Sequence, residues 1–330
     1  MKAIVCLKYG SPDVLQLKEV EKPVPGEDEI LIKIRTASVN PLDFHFIRGK
    51  PVFIRLKTGL LKPKNPVPGA DWAGRVEKTG DRVKAFQPGD EIFGDMYPHI
   101  GSFAEYICVP ESGTFAPKPA GLSFEQAAAV PAAGVTALQG LRDRGQIRSG
   151  QKVLVYGASG GVGTFAVQIA KAFGTDVTGV CSTGNLDLVR SIGADQVIDY
   201  TKEDFTRSGQ VYDLILDLVG NRKVSDLLKA LAHGGTCVIL GYSSLPMMLR
   251  QSLRVTWISG KNGKRIIPNS NIETAKEHLV YLTDLIDKGK IVPVIDRRYS
   301  LKESADAVRY LETGHARGKV VIILETDNMT

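Results

Sequence analysis

Cysteine is scarce in this sequence, and no two cysteines lie close together. The four are Cys6, Cys108, Cys181 and Cys237, so the chain has neither a Cys-x-x-Cys metal motif nor a dense disulfide framework. Long apolar runs are also missing: no stretch reaches the ~18 residues of a membrane helix, and no apolar signal region follows the opening MKAIVCLKYG. We therefore expect reduced thiols, a cytoplasmic location and no membrane partner.

The charge is only mildly unbalanced. With 42 Lys and Arg against 36 Asp and Glu, the net charge is +6, and the bases are spread along all 330 residues, so no nucleic-acid partner is expected. One stretch differs, because residues 50–68 contain Arg55, Lys57, Lys62 and Lys64 but no acid. We interpret this stretch as a solvated loop, with a lip over a binding cleft as the alternative.

Two patterns divide the chain. Residues 1–122 read as short strands separated by turns, which is typical of a small β-rich, barrel-like domain. From Ser123, which is placed to cap a helix, strands and helices alternate, and this order predicts a parallel, doubly wound α/β sheet over 123–265. A helix over 272–287 and a closing strand complete the C-terminal segment, 266–330.

The most informative stretch is KVLVYGASGGVGTFAVQIAKAFG, residues 152–174. A buried strand ends at Tyr156, a glycine-rich turn follows, and a helix begins at once. Glycines let the backbone approach a pyrophosphate closely, and the first N–H groups of the helix point towards it. This order of strand, turn and helix predicts a dinucleotide site. Its expected pyrophosphate contacts are Gly157, Ala158, Ser159, Gly160, Gly161 and Val162.

The end of the second strand indicates which dinucleotide binds. NAD sites usually carry an acid there, about 20 residues beyond the glycines, which binds the ribose 2′-hydroxyl. The sequence at this place is GVCSTGN, without a carboxylate. Ser182, Thr183 and Asn185 can instead donate hydrogen bonds to a 2′-phosphate, and Tyr200 on the next loop can cover the adenine end. The sequence therefore predicts NADP(H) as the cofactor.

Several motifs together resemble one protein family. The segments AAAVPAAGVTALQGL, VLVYGASGGVG and SIGADQVIDY are similar to those of medium-chain dehydrogenase/reductases, and the resemblance extends along the whole chain. NPLD followed by RG, and GHARGK near the C-terminus, resemble the quinone oxidoreductase and alkenal/one oxidoreductase branch. The resemblance implies a GroES-like domain over 1–122, a Rossmann NADP-binding domain over 123–265, and a segment, 266–330, that returns to the first domain.

One departure from the superfamily changes the expected chemistry. Zinc alcohol dehydrogenases bind catalytic zinc through a cysteine, a histidine and a further cysteine or acid, and those places correspond here to Asn40, Ala70 and Ala132. None of the three offers the nitrogen or thiolate ligands that zinc prefers. Without a Lewis acid, alcohol oxidation loses its means of stabilising an alkoxide. We therefore expect zinc-free, NADPH-dependent hydride transfer to a quinone or an α,β-unsaturated carbonyl.

The resemblance also implies roles for individual residues. Asn40, as a catalytic residue, and Thr136 are expected beside the nicotinamide, and Lys319 is expected to reach the cofactor from the C-terminal segment. The residues that follow two predicted strands are expected to line the cofactor, with packing as their alternative role: Leu218, Val219, Gly241 and Tyr242. An edge strand over 254–258 is expected to pair with its two-fold mate in a homodimer.

His45 is the candidate proton donor. It lies two residues after the aspartate of NPLD, where related enzymes carry a tyrosine or a lysine, and histidine can donate a proton near neutral pH. A packing or surface histidine, with water as the proton source, is the alternative. Two other functions also remain open from the sequence: a catalytically idle NADPH-binding sensor or structural protein, and a non-zinc dehydrogenase that acts on alcohols.

Overall fold

The structure is a computed structural model that describes residues 1–96, 100–242, 263–268, 272 and 274–324. The expected edge strand over 254–258 lies outside these residues. The chain folds as two compact units. The first contains Met1–Ala133, Thr274–Asp287 and Val292–Thr330, and the second contains Gly134–Glu273 and Lys288–Ile291. The domain limits expected from the sequence, 1–122, 123–265 and 266–330, stay a prediction.

The first unit is built mainly from β-strands. Their bounds are β1 Lys2–Cys6, β2 Leu15–Glu19, β3 Glu29–Val39, β4 Asp71–Thr79, β5 Glu91–Asp95, β6 Tyr106–Pro110, β7 Phe115–Pro117, β14 Ile295–Ser300 and β15 Lys319–Ile323. β1 and β2 form an antiparallel pair, and the other strands form a sheet in the order β14-β15-β3-β4-β5-β7, with β6 also pairing with β3. The C-terminal strand β15 therefore lies directly beside β3.

The second unit contains a six-stranded sheet. Its strands are β8 Lys152–Tyr156, β9 Asp176–Cys181, β10 Gln196–Asp199, β11 Tyr212–Asp217, β12 Leu231–Ile239 and β13 Arg265–Ile267. All pairs are parallel, and the order is β10-β9-β8-β11-β12-β13. This is the 3-2-1-4-5-6 order of a Rossmann fold, so the predicted doubly wound sheet is confirmed. Ligands bind such sheets at the carboxyl ends of the strands, where the order reverses between β8 and β11.

The helices agree only partly with the sequence-based prediction, because the helix predicted over 272–287 begins at Lys276 in the structure. They are α1 Pro41–Arg48, α2 Ile54–Thr58, α3 Phe124–Ala128, α4 Pro131–Leu138, α5 Gly161–Ala172, α6 Leu186–Ser191, α7 Val224–Ala230, α8 Lys276–Asp287 and α9 Ser304–Glu312. Ser123 caps α3 as predicted, because its Oγ accepts a bond from the Gln126 N–H at 3.2 Å. The helix then breaks before Pro131, which has no N–H to continue it. No helix among the described residues is long and apolar enough to cross a membrane.

Two loops at the carboxyl end of the Rossmann sheet approach each other through glycines. Gly220 follows β11 with a φ of +64°, and a Cβ added to it would lie 1.9 Å from the carbonyl oxygen of Gly241. A Cβ added to Gly241 would lie 2.0 Å from the carbonyl oxygen of Leu218. The loops after β11 and β12 can therefore pack this closely only without side chains at these two positions.

We expect Gly220→Ala to destabilise the protein far more than Gly209→Ala. Both glycines have positive φ values, +64° and +76°, so the conformational cost of about 1 kcal/mol is common to both substitutions. Gly209 has no atom within 4 Å of the added Cβ, whereas Gly220 meets backbone that cannot rotate away, and we expect a total loss of about 3 kcal/mol or more. Urea unfolding of the two variants measures the difference, and equal losses would contradict the close loop packing.

Candidate functional site

The glycine turn lies at the carboxyl end of β8, and α5 begins directly after it. Gly157 has a φ of +91°, which favours glycine. A Cβ added to Gly163 would lie 2.1 Å from the Gly157 carbonyl oxygen, so turn and helix touch through backbone alone. Gly160 precedes α5 and provides no side-chain cap. The first N–H groups of this helix are therefore available to bind an anion.

Two hydroxyl groups beside this turn are oriented by one amide. The Asn185 Nδ2 donates to Ser159 Oγ and to Ser182 Oγ, each at 3.1 Å. Because each hydroxyl accepts a bond from the amide, each keeps its own proton for donation to a ligand. The structure thus brings Ser182 and Asn185 together with Ser159 of the glycine turn, in an arrangement that suits a phosphate.

An acid that no sequence motif indicates lies next to these donors. Asp199, the last residue of β10, is buried, and it accepts bonds from Thr183 Oγ1 at 2.5 Å and Thr201 Oγ1 at 2.7 Å. These bonds lower the pKa of Asp199. The Thr183 proton is directed to Asp199 and not outward to a phosphate. Tyr200 follows Asp199 and is exposed.

The loops after β11 and β12 contain the other expected cofactor contacts of this unit. Leu218, Val219, Gly241 and Tyr242 are all half-buried. Val219 and Tyr242 also pack against the hydrophobic core, so packing is part of their role. The β11 loop is shaped by Asp217, whose Oδ1 accepts the N–H groups of Val219 at 2.9 Å and Gly220 at 2.8 Å. Burial raises the pKa of Asp217, and its other oxygen, Oδ2, has no hydrogen-bond partner.

In the first unit, four donors surround the carboxylate of Asp71, the first residue of β4. Ser38 Oγ and Asn40 Nδ2 each donate to Oδ2 at 3.0 Å, and the Ala132 N–H donates to Oδ1 at 3.1 Å. The Lys319 ammonium lies 3.5 Å from Oδ2. Asp71 is fully buried, and a buried carboxylate is tolerated only when it is paired and hydrogen-bonded in this way. No local pattern in the sequence indicates this role for Asp71.

Lys319 fixes the orientation of the Asn40 amide. Its ammonium donates to Asn40 Oδ1, while Asn40 Nδ2 donates to Asp71. Both ends of the amide are thereby held. Since Nδ2 carries two protons and Asp71 receives one, the second proton is not used by Asp71. Burial lowers the pKa of Lys319, an effect that the Asp71 carboxylate opposes.

Asp43 is a second buried acid beside this cluster. Its Oδ2 accepts the Asn40 backbone N–H at 2.7 Å at the start of α1, whereas its Oδ1 is buried without a hydrogen-bond partner. Burial raises the pKa of Asp43 to about 7, although the hydrogen bond from Asn40 opposes the increase. A proton on Oδ1 removes the cost of an unpartnered buried charge.

His45 is half-buried on α1, with its ring centroid 4.5 Å from that of Phe44. Its Nδ1 lies 3.1 Å from the Lys50 carbonyl oxygen. Because a carbonyl oxygen only accepts hydrogen bonds, Nδ1 carries a proton, and in the neutral ring Nε2 is then an acceptor. Burial lowers the pKa of His45. His45 can therefore donate from Nε2 only as the imidazolium, which is a minor form at neutral pH.

The places that correspond to zinc ligands do not form a metal site. Asn40 is held by Asp71 and Lys319, Ala70 is buried, and Ala132 contributes its backbone N–H to Asp71. The Lys319 ammonium beside Asp71 also repels a second cation. Within the part of the chain that the structure describes, no three His, Cys, Asp or Glu residues are grouped to hold a metal ion. The residues present do not fit zinc.

Thr136, which is expected beside the nicotinamide, is half-buried on α4.

Comparisons with known proteins agree with this architecture. Residues 26–120 match the family described as "Alcohol dehydrogenase GroES-like domain", and residues 192–322 match "Zinc-binding dehydrogenase". The chain is 40% identical to 2-methylene-furan-3-one reductase of Solanum lycopersicum and 36% identical to the chloroplastic NADPH-dependent alkenal/one oxidoreductase of Arabidopsis thaliana, over 98% of this chain and 79% of each relative. The structure of the quinone oxidoreductase from Coxiella burnetii is also similar, with a TM-score of 0.85 and 33% identity over 98% of this chain and 99% of that one.

The raised pKa of Asp43 predicts a pH dependence of stability. Between the unfolded pKa of about 4 and the folded pKa of about 7, the folded protein binds the proton more tightly than the unfolded chain does, so stability is lost as the pH rises through this window. Asp43→Asn cannot titrate and should lose less stability between pH 5 and pH 8. Urea unfolding of the wild type, this variant and an exposed control, Asp306→Asn, tests the assignment. An equal pH dependence in all three proteins would show that Asp43 is ionised throughout.

Proposed function

Because the chain belongs to the medium-chain dehydrogenase/reductase superfamily, in its quinone and alkenal oxidoreductase branch, we propose that it transfers hydride from NADPH to a quinone or an α,β-unsaturated carbonyl. When bound, the cofactor supplies the hydride. The relatives' names support an electron-poor acceptor, and one of them includes NADPH dependence. The function of the protein chain is then to bind the reactants, to orient them and to stabilise the oxygen on which charge develops.

The buried cluster around Asp71 is the observation that carries this proposal. In place of metal ligands, it presents one amide N–H of Asn40, whose orientation Asp71 and Lys319 fix. A neutral donor of this kind can stabilise the partial charge on an enolate or hydroquinone oxygen, but it is a weak substitute for a metal at an alkoxide. The cluster therefore favours conjugated acceptors over simple alcohols as substrates.

Turnover measurements test this function against its alternatives. We expect NADPH oxidation with at least one quinone, enal or enone, and no reduction of NADP⁺ by simple alcohols. Activity should survive exhaustive chelation, because the residues at the metal-ligand places do not fit zinc. The absence of turnover with every acceptor, despite NADPH binding, would support an idle NADPH-binding protein. Alcohol-dependent reduction of NADP⁺ would support a non-zinc alcohol dehydrogenase, and loss of bound zinc together with activity would refute zinc independence.

We propose that NADPH is preferred over NADH. The hydroxyl protons of Ser159 and Ser182 are available to a 2′-phosphate, because Asn185 donates to both oxygens. Asp199 follows in the neighbouring strand; it is buried and accepts hydrogen bonds from two threonines. The Lys202 ammonium, 3.7 Å from Asp199 Oδ2, offsets the negative charge of this carboxylate.

Ser182→Asp should weaken NADPH binding by roughly 10- to 150-fold, the scale of a lost hydrogen bond to a charged group. The same variant should spare NADH, because a carboxylate repels a phosphate but can accept from a 2′-hydroxyl. Nucleotide fluorescence titration measures both affinities. Ser191→Asp is the matched control, since it adds the same charge on the exposed end of α6. Equal affinities of the wild type for NADH and NADPH would refute the preference.

We also propose that His45 assists proton transfer to the substrate oxygen. His45→Ala should then lower kcat/KM for an enone by ~10²-fold or more, the usual scale for a general acid, and affect quinones less. Because burial lowers the pKa of His45 and only the imidazolium donates from Nε2, wild-type activity should fall with rising pH through a value below 6.5. NADPH affinity should hardly change. Full enone activity with an unchanged pH profile would assign His45 to packing and leave water as the proton source.

A homodimer and a cytoplasmic location remain part of the proposal. Among the described residues β13 lies at one edge of the Rossmann sheet, and pairing with a second copy is one way in which proteins cover such an edge. Light scattering that reports only monomer at micromolar concentration would refute the dimer. The four free cysteines, of which Cys6, Cys181 and Cys237 are buried, are compatible with a reducing compartment.

A further inference from the structure

The loop formed by residues 50–64, which includes α2, concentrates exposed apolar side chains. Among the described residues twelve large apolar side chains are exposed, and five of these lie within ten consecutive positions of the loop. Their exposed fractions range from 56% to 93%, and they are Val52, Phe53, Leu56, Leu60 and Leu61. Single exposed apolar residues are common, but such a concentration usually marks an interaction surface.

The inner side of the loop is held by specific contacts. Tyr9 contributes most of them: its hydroxyl bonds with Thr58 Oγ1 at 2.7 Å and with the Gly59 carbonyl at 2.6 Å, and its ring lies 4.7 Å from the Arg55 guanidinium. Arg55 Nε also donates to the Gly49 carbonyl at 3.0 Å. The exposed apolar residues are therefore presented by a loop whose backbone is fixed, which reduces the entropy lost on binding.

The charge on this surface is of one sign. No acid occurs between Asp43 and Asp71, whereas residues 50–64 contain five bases. Lys50, Lys62 and Lys64 are exposed. Two copies of the loop packed face to face would bring these like charges together, so the pattern disfavours a second copy of this chain as the partner. The partner must instead combine negative charge with an apolar layer.

We propose that the 50–64 loop docks on an anionic lipid surface. Apolar side chains next to lysines, without acids, suit the boundary between acyl chains and negative headgroups, where apolar burial and electrostatic attraction act together. This proposal concerns surface binding without a spanning helix. It replaces the expectation of no membrane partner and the interpretation of this stretch as a merely solvated loop.

Co-sedimentation of the full chain with vesicles tests the proposal without substrate or cofactor, so its outcome is independent of the proposed reaction. We expect binding to phosphatidylcholine vesicles that contain about 30% phosphatidylserine, much weaker binding to phosphatidylcholine alone, and release by high salt. Leu56→Ser/Leu61→Ser should lower the affinity roughly tenfold or more through lost apolar burial. Lys62→Gln/Lys64→Gln should lower it by a similar factor through lost attraction.

The matched control is Val24→Ser/Val280→Ser, which removes two exposed apolar side chains outside the loop and should bind like the wild type. Thermal unfolding of all variants checks that they remain folded. The proposal is overturned if the wild type does not bind at low salt, if neutral and anionic vesicles bind it equally, or if both loop variants bind as well as the control. A loop variant that changes from dimer to monomer in light scattering, without vesicle binding by the wild type, would assign the surface to a second copy.

Discussion

The buried carboxylate of Asp71 is the interaction on which the first unit's candidate site depends. Burying one negative charge is costly, and the cost is offset only because donors from β3, the start of α1, β15 and the start of α4 converge on the same two oxygens. Each donor is fixed in return. The Asn40 amide, in particular, has a single orientation because a carboxylate holds its nitrogen and an ammonium holds its oxygen.

In the second unit the negative charge to be stabilised belongs to the expected ligand and not to a buried side chain. Its expected ligand groups are large anions, and they are met by backbone N–H groups at a helix end and by hydroxyl protons that Asn185 orients. Close approach of the backbone, as between Gly157 and Gly163, is the constraint here, whereas charge balance is the constraint around Asp71. The two sites therefore tolerate different substitutions: the Asp71 cluster requires complementary charges, and the glycine turn requires positions without side chains.

Local features of the sequence predicted the Rossmann half well, because strand, glycine turn and helix are consecutive in the chain. The fold of both units and the cap at Ser123 were likewise predictable. The cluster around Asp71 was not, since its members come together only through pairing of β15 with β3 and of β3 with β4. Asn40 was identified by resemblance, but no local pattern indicates that Lys319, 279 residues later, holds its amide. The Asp199 contact to Thr183 depends in the same way on the register of β9 and β10.

The position of Lys319 near the C-terminus also determines when the first unit can be completed during synthesis. Asn40 and Lys319 are separated by 279 residues, which a ribosome adds in roughly fifteen seconds to one minute at ~5–20 residues per second. For most of that interval Asp71 lacks its ammonium partner, and residues 36–39 of β3 lack β15, one of the strands with which β3 pairs in the finished protein. The first unit is therefore completed only after β15 has been synthesised, although most of its strands are translated earlier.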